Sequence, residues 1–358
     1  MPRNLPVYVF LLGLAMSLTR LATAGWFEWS QLPPLPDVEG FASPFAGVSN
    51  GALIVAGGAN IPENKWADIV SKVWHDRVFV WEPANGQWIT GSKLPRALGY
   101  GVSITTDDGV LCFGGSDATR HYADSFRMKW RSGRLEVTPL PPLPRPCAHA
   151  CGALLGRVLY LAGGTESPDS TSAMHNFWAL DLEQDSPVWK ELPPWPGPAR
   201  LLATAGTSPD SFYLFSGATL HAGPDGKPVR TYLKDAYRFT PAKGWTRASD
   251  LPRPAVAAPS PAVHSMGRLL LFSGDDGEQV TFRPLQKHPG FPRTILAYDT
   301  ADDAWSTLRE EVPFSRATVP VVRWNHGFVF PNGEVRPRER TPQVWFARER
   351  PDAAQPEK

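Results

Sequence analysis

Read for the alternation of apolar and polar positions, the chain is a succession of short strands. Six apolar runs each stop at a glycine pair or a Ser-Gly or Asn-Gly pair: ALIVAGG (52–58), VLCFGG (110–115), VLYLAGG (158–164), FYLFSG (212–217), LLLFSG (269–274) and FVFPNG (328–333). A short apolar run bounded by turn residues reads as a buried strand. Behind five of them lies an alternating stretch, at 76–83, 124–130, 176–182, 235–241 and 294–300, the pattern of a half-buried strand. A turn follows, then a strand carrying Trp88, Trp189, Trp245 or Trp305, with Leu135 standing in once. Each unit leaves through Leu-Pro or Val-Pro, and an arginine often follows: Arg96, Arg145, Arg200, Arg253 and Arg316.

The second glycines, Gly58, Gly115, Gly164, Gly217, Gly274 and Gly333, are 49 to 59 residues apart. That spacing is near the roughly 50-residue period of kelch repeats. One four-stranded sheet cannot bury both faces alone, whereas radial stacking buries them and leaves short edges. The expected fold is therefore all-β: a six-bladed kelch-type β-propeller. The last unit has a first strand near 319–324, a second at 327–331 and a third at 343–347, and then its chain runs out. Its missing outer strand is expected at the other end of the chain, in WFEWSQ (26–31), which brings a tryptophan, Trp29, and a Leu-Pro exit. Pairing of this strand into the last blade would close the ring, giving a single domain over 25–348 and a charged, disordered tail over 349–358.

Composition sharpens this picture. Glycine (31) and proline (38) together approach a fifth of the 358 residues, against roughly 12% in typical proteins. That density disfavours a helical bundle or a TIM barrel, while 42% apolar residues supply a large core and disfavour disorder. Lys+Arg and Asp+Glu nearly balance, at 36 and 35, which gives no reason to expect a nucleic-acid partner. Residues 1–24 read as a secretory signal peptide: Arg3, an apolar stretch over 5–18, and Ala22-Thr23-Ala24 as the small-x-small cleavage site. The mature protein is then expected to be free of the membrane and periplasmic or secreted. Export permits disulfides, but only Cys112, Cys147 and Cys151 are present. Cys147 and Cys151 in one extended strand would lie roughly 13 Å apart, against a disulfide Cα span near 5.5 Å. The cysteines read as small buried hydrophobes.

In such blades the loop behind each glycine pair and the loop between blades share one face. The longest segments, 59–75, 218–234 and 275–293, all lie behind glycine pairs, and excess loop length on a scaffold usually serves recognition. The channel mouth is the default pocket. This face is expected to present Asn60, Trp66, Arg120, Glu166 and Arg230 as substrate-binding candidates, together with Glu334 and Arg340. No metal spacing, phosphate loop or Gly-x-Ser-x-Gly elbow is evident, and no cofactor or metal is expected. Arginine grips a carboxylate bidentately and aromatics stack on sugar faces, so a small acidic sugar suits the set. The recurring arginines read first as scaffold, since a single ligand rarely needs a ring of equivalents.

The stretch Asn332-Gly333-Glu334-Val335-Arg336-Pro337-Arg338-Glu339-Arg340-Thr341 resembles the active-site loop of the bacterial N-acetylneuraminate epimerase (sialic acid mutarotase) family, with Glu334 and Arg340 matching in type and spacing. Phe45–Asn50, Val55–Ala59 and Arg96–Ser103 resemble the blade that follows that loop in the family, so the order looks cyclically permuted. The resemblance implies an isomerase that opens and recloses an acidic sugar ring, with Glu334 as base and Arg340 as its partner, and also a homodimeric assembly. Departures are Arg338 where the family has glycine, and Glu339 as a second carboxylate competing for Arg340. Gly226–Thr231 resembles the same loop, but Ala218 stands where the glutamate would be. Two other readings stay open: an exported glycan- or protein-binding propeller without catalysis, and a glycosidase pairing Glu334 with Glu166 or Asp276.

Overall fold

A computed structural model describes residues 25–350. The signal-peptide reading over 1–24, and the tail beyond residue 350, lie outside the described residues. The described residues form six four-stranded antiparallel sheets. Blade 1 comprises Phe45–Ser49, Ala52–Ala56, Arg77–Glu82 and Gln87–Lys93, and blade 2 comprises Val102–Thr106, Gly109–Phe113, Ser125–Arg131 and Arg134–Leu140. Blade 3 is Cys151–Leu155, Val158–Ala162, Phe177–Asp181 and Trp189–Leu192; blade 4 is Thr204–Thr207, Phe212–Phe215, Ala236–Thr240 and Gly244–Ala248. Blade 5 is Val263–Ser265, Arg268–Phe272, Thr294–Asp299 and Ala304–Glu311. Blade 6 takes Val322–Trp324, Gly327–Pro331 and Val344–Glu349 from the end of the chain and Phe27–Leu32 from its beginning. The closing strand runs antiparallel in register from Phe27 opposite Glu349 to Leu32 opposite Val344. Glu349 therefore belongs to the sheet, and the Arg350 N–H donates to the Trp26 carbonyl at 3.0 Å. Phe27, in the core between blades 5 and 6, holds the paired strands together to their ends.

The apolar runs become second strands buried on both faces, whereas the outer strands alternate toward solvent. Side chains interdigitate between neighbouring blades; Phe45, Ile54 and Val80 of blade 1 meet Val110, Met128 and Trp130 of blade 2.

The outer-strand tryptophans do more than pack. Trp88 Nε1 donates to Pro33 O (2.8 Å), Trp189 to Pro141 O (3.1 Å), Trp245 to Pro193 O (3.0 Å) and Trp305 to Ser249 O (2.8 Å). Each indole thus satisfies a carbonyl in the exit segment of the preceding blade. Trp29 donates instead to Glu310 Oε1 (2.9 Å) of blade 5. Where blade 2 has Leu135, Trp130 from the adjacent strand supplies the link, donating to Glu82 Oε1 at 2.6 Å.

The recurring arginines also serve the scaffold. Arg200 is fully buried and bonds Ser216 O and both oxygens of Asp235 at 2.7–2.8 Å. Arg253 reaches Ser273 O (2.9 Å) and Thr294 Oγ1. Arg316 is buried, with its pKa pulled down to about 9 by desolvation. Cys112, Cys147 and Cys151 are buried and unpaired, and burial pushes the Cys147 and Cys151 thiols up to about 12.

Around the axis, one residue from each interblade segment adopts a left-handed backbone: Ser43, Tyr100, His149, Leu202, Ala257 and Thr318, with φ between 45° and 61°. Their peptides bond in a closed circle. Tyr100 N–H donates to Ser43 O, His149 to Tyr100, Leu202 to His149, Ala257 to Leu202, Thr318 to Ala257 and Ser43 to Thr318, all at 2.7–3.0 Å. This girdle lines the central channel.

Candidate functional site at the channel mouth

Just outside the girdle, the residue after each glycine pair bridges to the interblade segment that leads into its own blade. Ala59 pairs with Ala42, Ser116 with Gly99, Thr165 with Ala148, Ala218 with Leu201, Asp275 with Val256 and Glu334 with Ala317. Glu334 is therefore the blade-6 member of a six-fold set of mouth positions, and Ala218 is its blade-4 counterpart. Asn332 and Gly333 place it. Both have positive φ, 59° and 98°, and asparagine is among the few residues that tolerate that region. A Cβ on Gly333 would come within 2.2 Å of Val319 Cγ2, so only glycine lets the strand turn here.

Three of the segments expected as loops carry short hairpins: Ala59–Asn60 with Val73–Trp74, Ala218–Ala222 with Pro228–Tyr232, and Glu334–Arg336 with Glu339–Arg340. In the last, Glu334 lies directly opposite Arg340, which brings Arg340 Nη1 to 3.3 Å from Glu334 Oε1. The same oxygen accepts from the Arg338 N–H at 2.8 Å. Glu339 does not compete for Arg340; it pairs with Arg336 at 2.9 Å, across a register shift that separates this pair from Glu334 and Arg340. Arg338 donates to the carbonyls of Ala67 (2.6 Å) and Lys65 (3.4 Å), and Lys65 forms an ion pair with Glu39. The blade-1 segment bearing half-buried Trp66 is thereby fastened beside the Glu334 hairpin.

Arg340 is only 7% exposed, and its Nε and Nη1 make no hydrogen bond among the described residues. Buried guanidinium donors are normally satisfied, as at Arg200. Desolvation works to lower the Arg340 pKa, but Glu334, Tyr100 and Glu39 outweigh it and raise it, so the cation is secure. A buried, under-bonded cation beside a carboxylate at a channel mouth is prepared for an anionic ligand.

Beyond Arg340 the mouth continues through residues the sequence reading did not select. Tyr100 is buried, its ring 4.8 Å from that of His149, with Lys72 Nζ 4.9 Å above it. His149 lies 5.7 Å from His121, whose Nε2 meets Thr165 Oγ1 at 3.1 Å. Burial pulls the His149 pKa well below its ordinary value, and His121, Lys72 and Arg230 push the same way. A cavity of about 490 Å³ opens here, bounded by His121, His149, Thr165, Ser170, Arg230 and Tyr232 among others. Arg230 is an exposed cation on its rim.

The remaining candidates are placed less centrally. Asn60 is buried and its amide is occupied: Nδ2 donates to Gly40 O (3.1 Å) and Oδ1 meets His75 Nε2 (2.8 Å). Arg120 is exposed and lies over the Tyr122 ring at 4.8 Å. Glu166 is exposed, 3.6 Å from Arg145.

The architecture and this mouth define a six-bladed kelch-type propeller with a charged, hydrogen-bonding pocket on its axis. Residues 14–137 match the family model described as N-acetylneuraminate epimerase. Over 105 residues the chain is 39% identical to N-acetylneuraminate epimerase of Salmonella enteritidis PT4 (strain P125109), covering 26% of this chain and 27% of that protein. It is 34% identical over 128 residues to N-acetylneuraminate epimerase of Yersinia pestis (strain Pestoides F), covering 31% and 32%. The chain thus matches about a quarter to a third of the length of these curated relatives. The family match takes in blade 1 and most of blade 2, including Trp66, Lys72 and Tyr100, and ends before Glu334.

Proposed function

We infer that the protein is a sugar mutarotase that interconverts the anomers of N-acetylneuraminate, or a closely related acidic sugar, by acid–base ring opening. The observation that carries this reading is Arg340: a buried cation whose Nε has no hydrogen bond, ion-paired with Glu334 at the channel mouth. Arg340 would receive the sugar carboxylate. Glu334 would take the proton of the anomeric hydroxyl as the ring C–O bond breaks; its Oε1 is already engaged by Arg338 and Arg340, which leaves Oε2 for the substrate. The open keto form turns about its bond to the ring carbons and recloses on the other face, returning the proton. The cavity beside His149, whose lining includes Thr165, Ser167, Ser170 and Tyr232, would take the polyol portion of the sugar. Export to the periplasm or beyond, homodimerisation and the permuted blade order belong to the same proposal.

The test is NMR exchange on freshly released α-N-acetylneuraminate. The protein is expected to accelerate α-to-β conversion over buffer, and Glu334→Gln to lose that acceleration by about 100-fold or more, the usual range for a general base. A wild-type protein no faster than buffer, or a Glu334→Gln variant with undiminished exchange, would refute the reading.

A further inference from the structure

Ring opening requires a second proton transfer, to the ring oxygen, and neither Glu334 nor Arg340 supplies it. Arginine stays protonated at any accessible pH. The girdle points to another group. Four of its six left-handed positions hold Ser43, Leu202, Ala257 and Thr318; the other two hold aromatics, Tyr100 and His149, side by side. A bulky side chain at positive φ is strained, and such strain concentrates at functional sites. Tyr100 stands two girdle steps from Thr318, the residue after the Ala317 that pins Glu334. Its side chain is enclosed by Trp74, His149 and Lys72, with Arg340 as its neighbour toward blade 6. Arginine has donors only, so toward Arg340 the phenol oxygen can only accept. Its own hydrogen is then available to an occupant of the channel that Tyr100 lines.

We propose that Tyr100 is the second acid–base residue of the reaction, donating its phenolic proton to the sugar's ring oxygen as the ring C–O bond breaks. This rests on the mutarotase reading. The steps balance. Glu334 accepts the anomeric proton, the O–H electrons form the carbonyl, the C–O electrons pass to the ring oxygen, and that oxygen takes the proton of Tyr100. Arg340 neighbours the phenolate so formed and Lys72 lies over its ring, cations near the place where negative charge develops. On reclosure the hydroxyl returns its proton to Tyr100 while attacking the opposite face of the carbonyl, and the carbonyl oxygen recovers a proton from Glu334. His149, held neutral in its buried setting, packs the ring in place without adding a charge.

The full-length protein and its Tyr100→Phe and Tyr100→His variants are compared in the same α-N-acetylneuraminate exchange assay, with Glu334→Gln alongside. Phenylalanine keeps the ring contacts with His149 and Lys72, so the melting temperature should stay within about 2 °C. The kcat is expected to fall about 100-fold with KM within twofold, and Tyr100→His, which restores a proton donor, should recover about tenfold over Tyr100→Phe. A Tyr100→Phe protein within threefold of the wild-type kcat, while Glu334→Gln is inactive, overturns the role of Tyr100 and leaves the mutarotase reading standing. Absence of acceleration by the wild type overturns both.

Discussion

Two buried arginines in one fold make opposite predictions. Arg200 is fully enclosed and satisfied, with three bonds of 2.7–2.8 Å to Ser216 O and the Asp235 carboxylate. Asp235 itself is held below its ordinary pKa: desolvation, which raises it, is outweighed by Arg200 and by the Tyr237 hydroxyl bond. Arg200→Met strands that carboxylate, and breaking a buried pair from one side costs about 3–5 kcal/mol. For a domain of roughly 330 residues the unfolding entropy gives about 1.5 °C per kcal/mol, so the melting temperature should drop by about 5–7 °C. Arg340→Met removes a guanidinium whose Nε has no hydrogen bond and whose Nη1 meets Glu334 at 3.3 Å without one, and Glu334 keeps the Arg338 N–H. The change should fall within about 1 kcal/mol, or about 2 °C. Binding should show the reverse. Charge-assisted hydrogen bonds contribute about 1.5–3 kcal/mol each, so Arg340→Met should weaken N-acetylneuraminate binding at least about tenfold, read by calorimetric titration. Arg200→Met should leave affinity unchanged at a temperature where it is folded. If Arg340→Met melts as early as Arg200→Met and still binds the sugar, Arg340 is scaffold and the site has been misread.

Other consequences can be checked with less effort. Trp245→Phe keeps the ring among Phe177, Phe212 and Phe239 but loses the bond to Pro193 O, and denaturant unfolding should report a loss of about 1 kcal/mol; no loss would mean that the indole–carbonyl links between blades contribute only by packing. His75, His121, His149, His264 and His288 all have lowered pKa values, first of all through burial. The unfolded chain therefore binds more protons than the native one once pH falls below about 6.5. Stability should be full above that pH and decline on acidification, by at most about 1.4 kcal/mol per pH unit for each histidine that stays neutral. His149→Asn, which tolerates the left-handed backbone, should flatten the profile between pH 6.5 and 5, and an unchanged slope would contradict the burial of His149 as a neutral ring.

The propeller was legible because its turns demand residues that announce themselves. The first residue of each glycine pair sits at positive φ, as at Gly57, Gly114 and Gly163, or is replaced by Ser216, Ser273 or Asn332 in the same conformation. The girdle was not legible. Its left-handed positions carry Tyr, His, Leu, Ala, Ser and Thr, with no glycine to mark them, because their conformation is imposed by the ring of neighbours rather than by local preference. Tyr100, within 96–103, therefore has nothing local in the sequence to single it out. Asn60 shows the converse: a polar residue behind a glycine pair looked available, yet Gly40 O and His75 take up its amide. Glu334 and Arg340 stand out in the sequence only through the resemblance of their loop to that of a known family, and the hairpin register sets them opposite each other.

The girdle also bears on how such a mouth acquires its charge. At a helix end, aligned peptide dipoles supply a fixed partial charge. Here the six peptides run head to tail around a circle, and their tangential components cancel by near-symmetry. The backbone therefore contributes no such terminus at the axis, and the sign of the potential is left to the side chains that overhang it. In this protein those include Lys72, Arg230 and Arg340 against Glu334, Glu39 and Asp275. A few substitutions on these overhangs could invert the polarity of the opening while every blade beneath stays as it is.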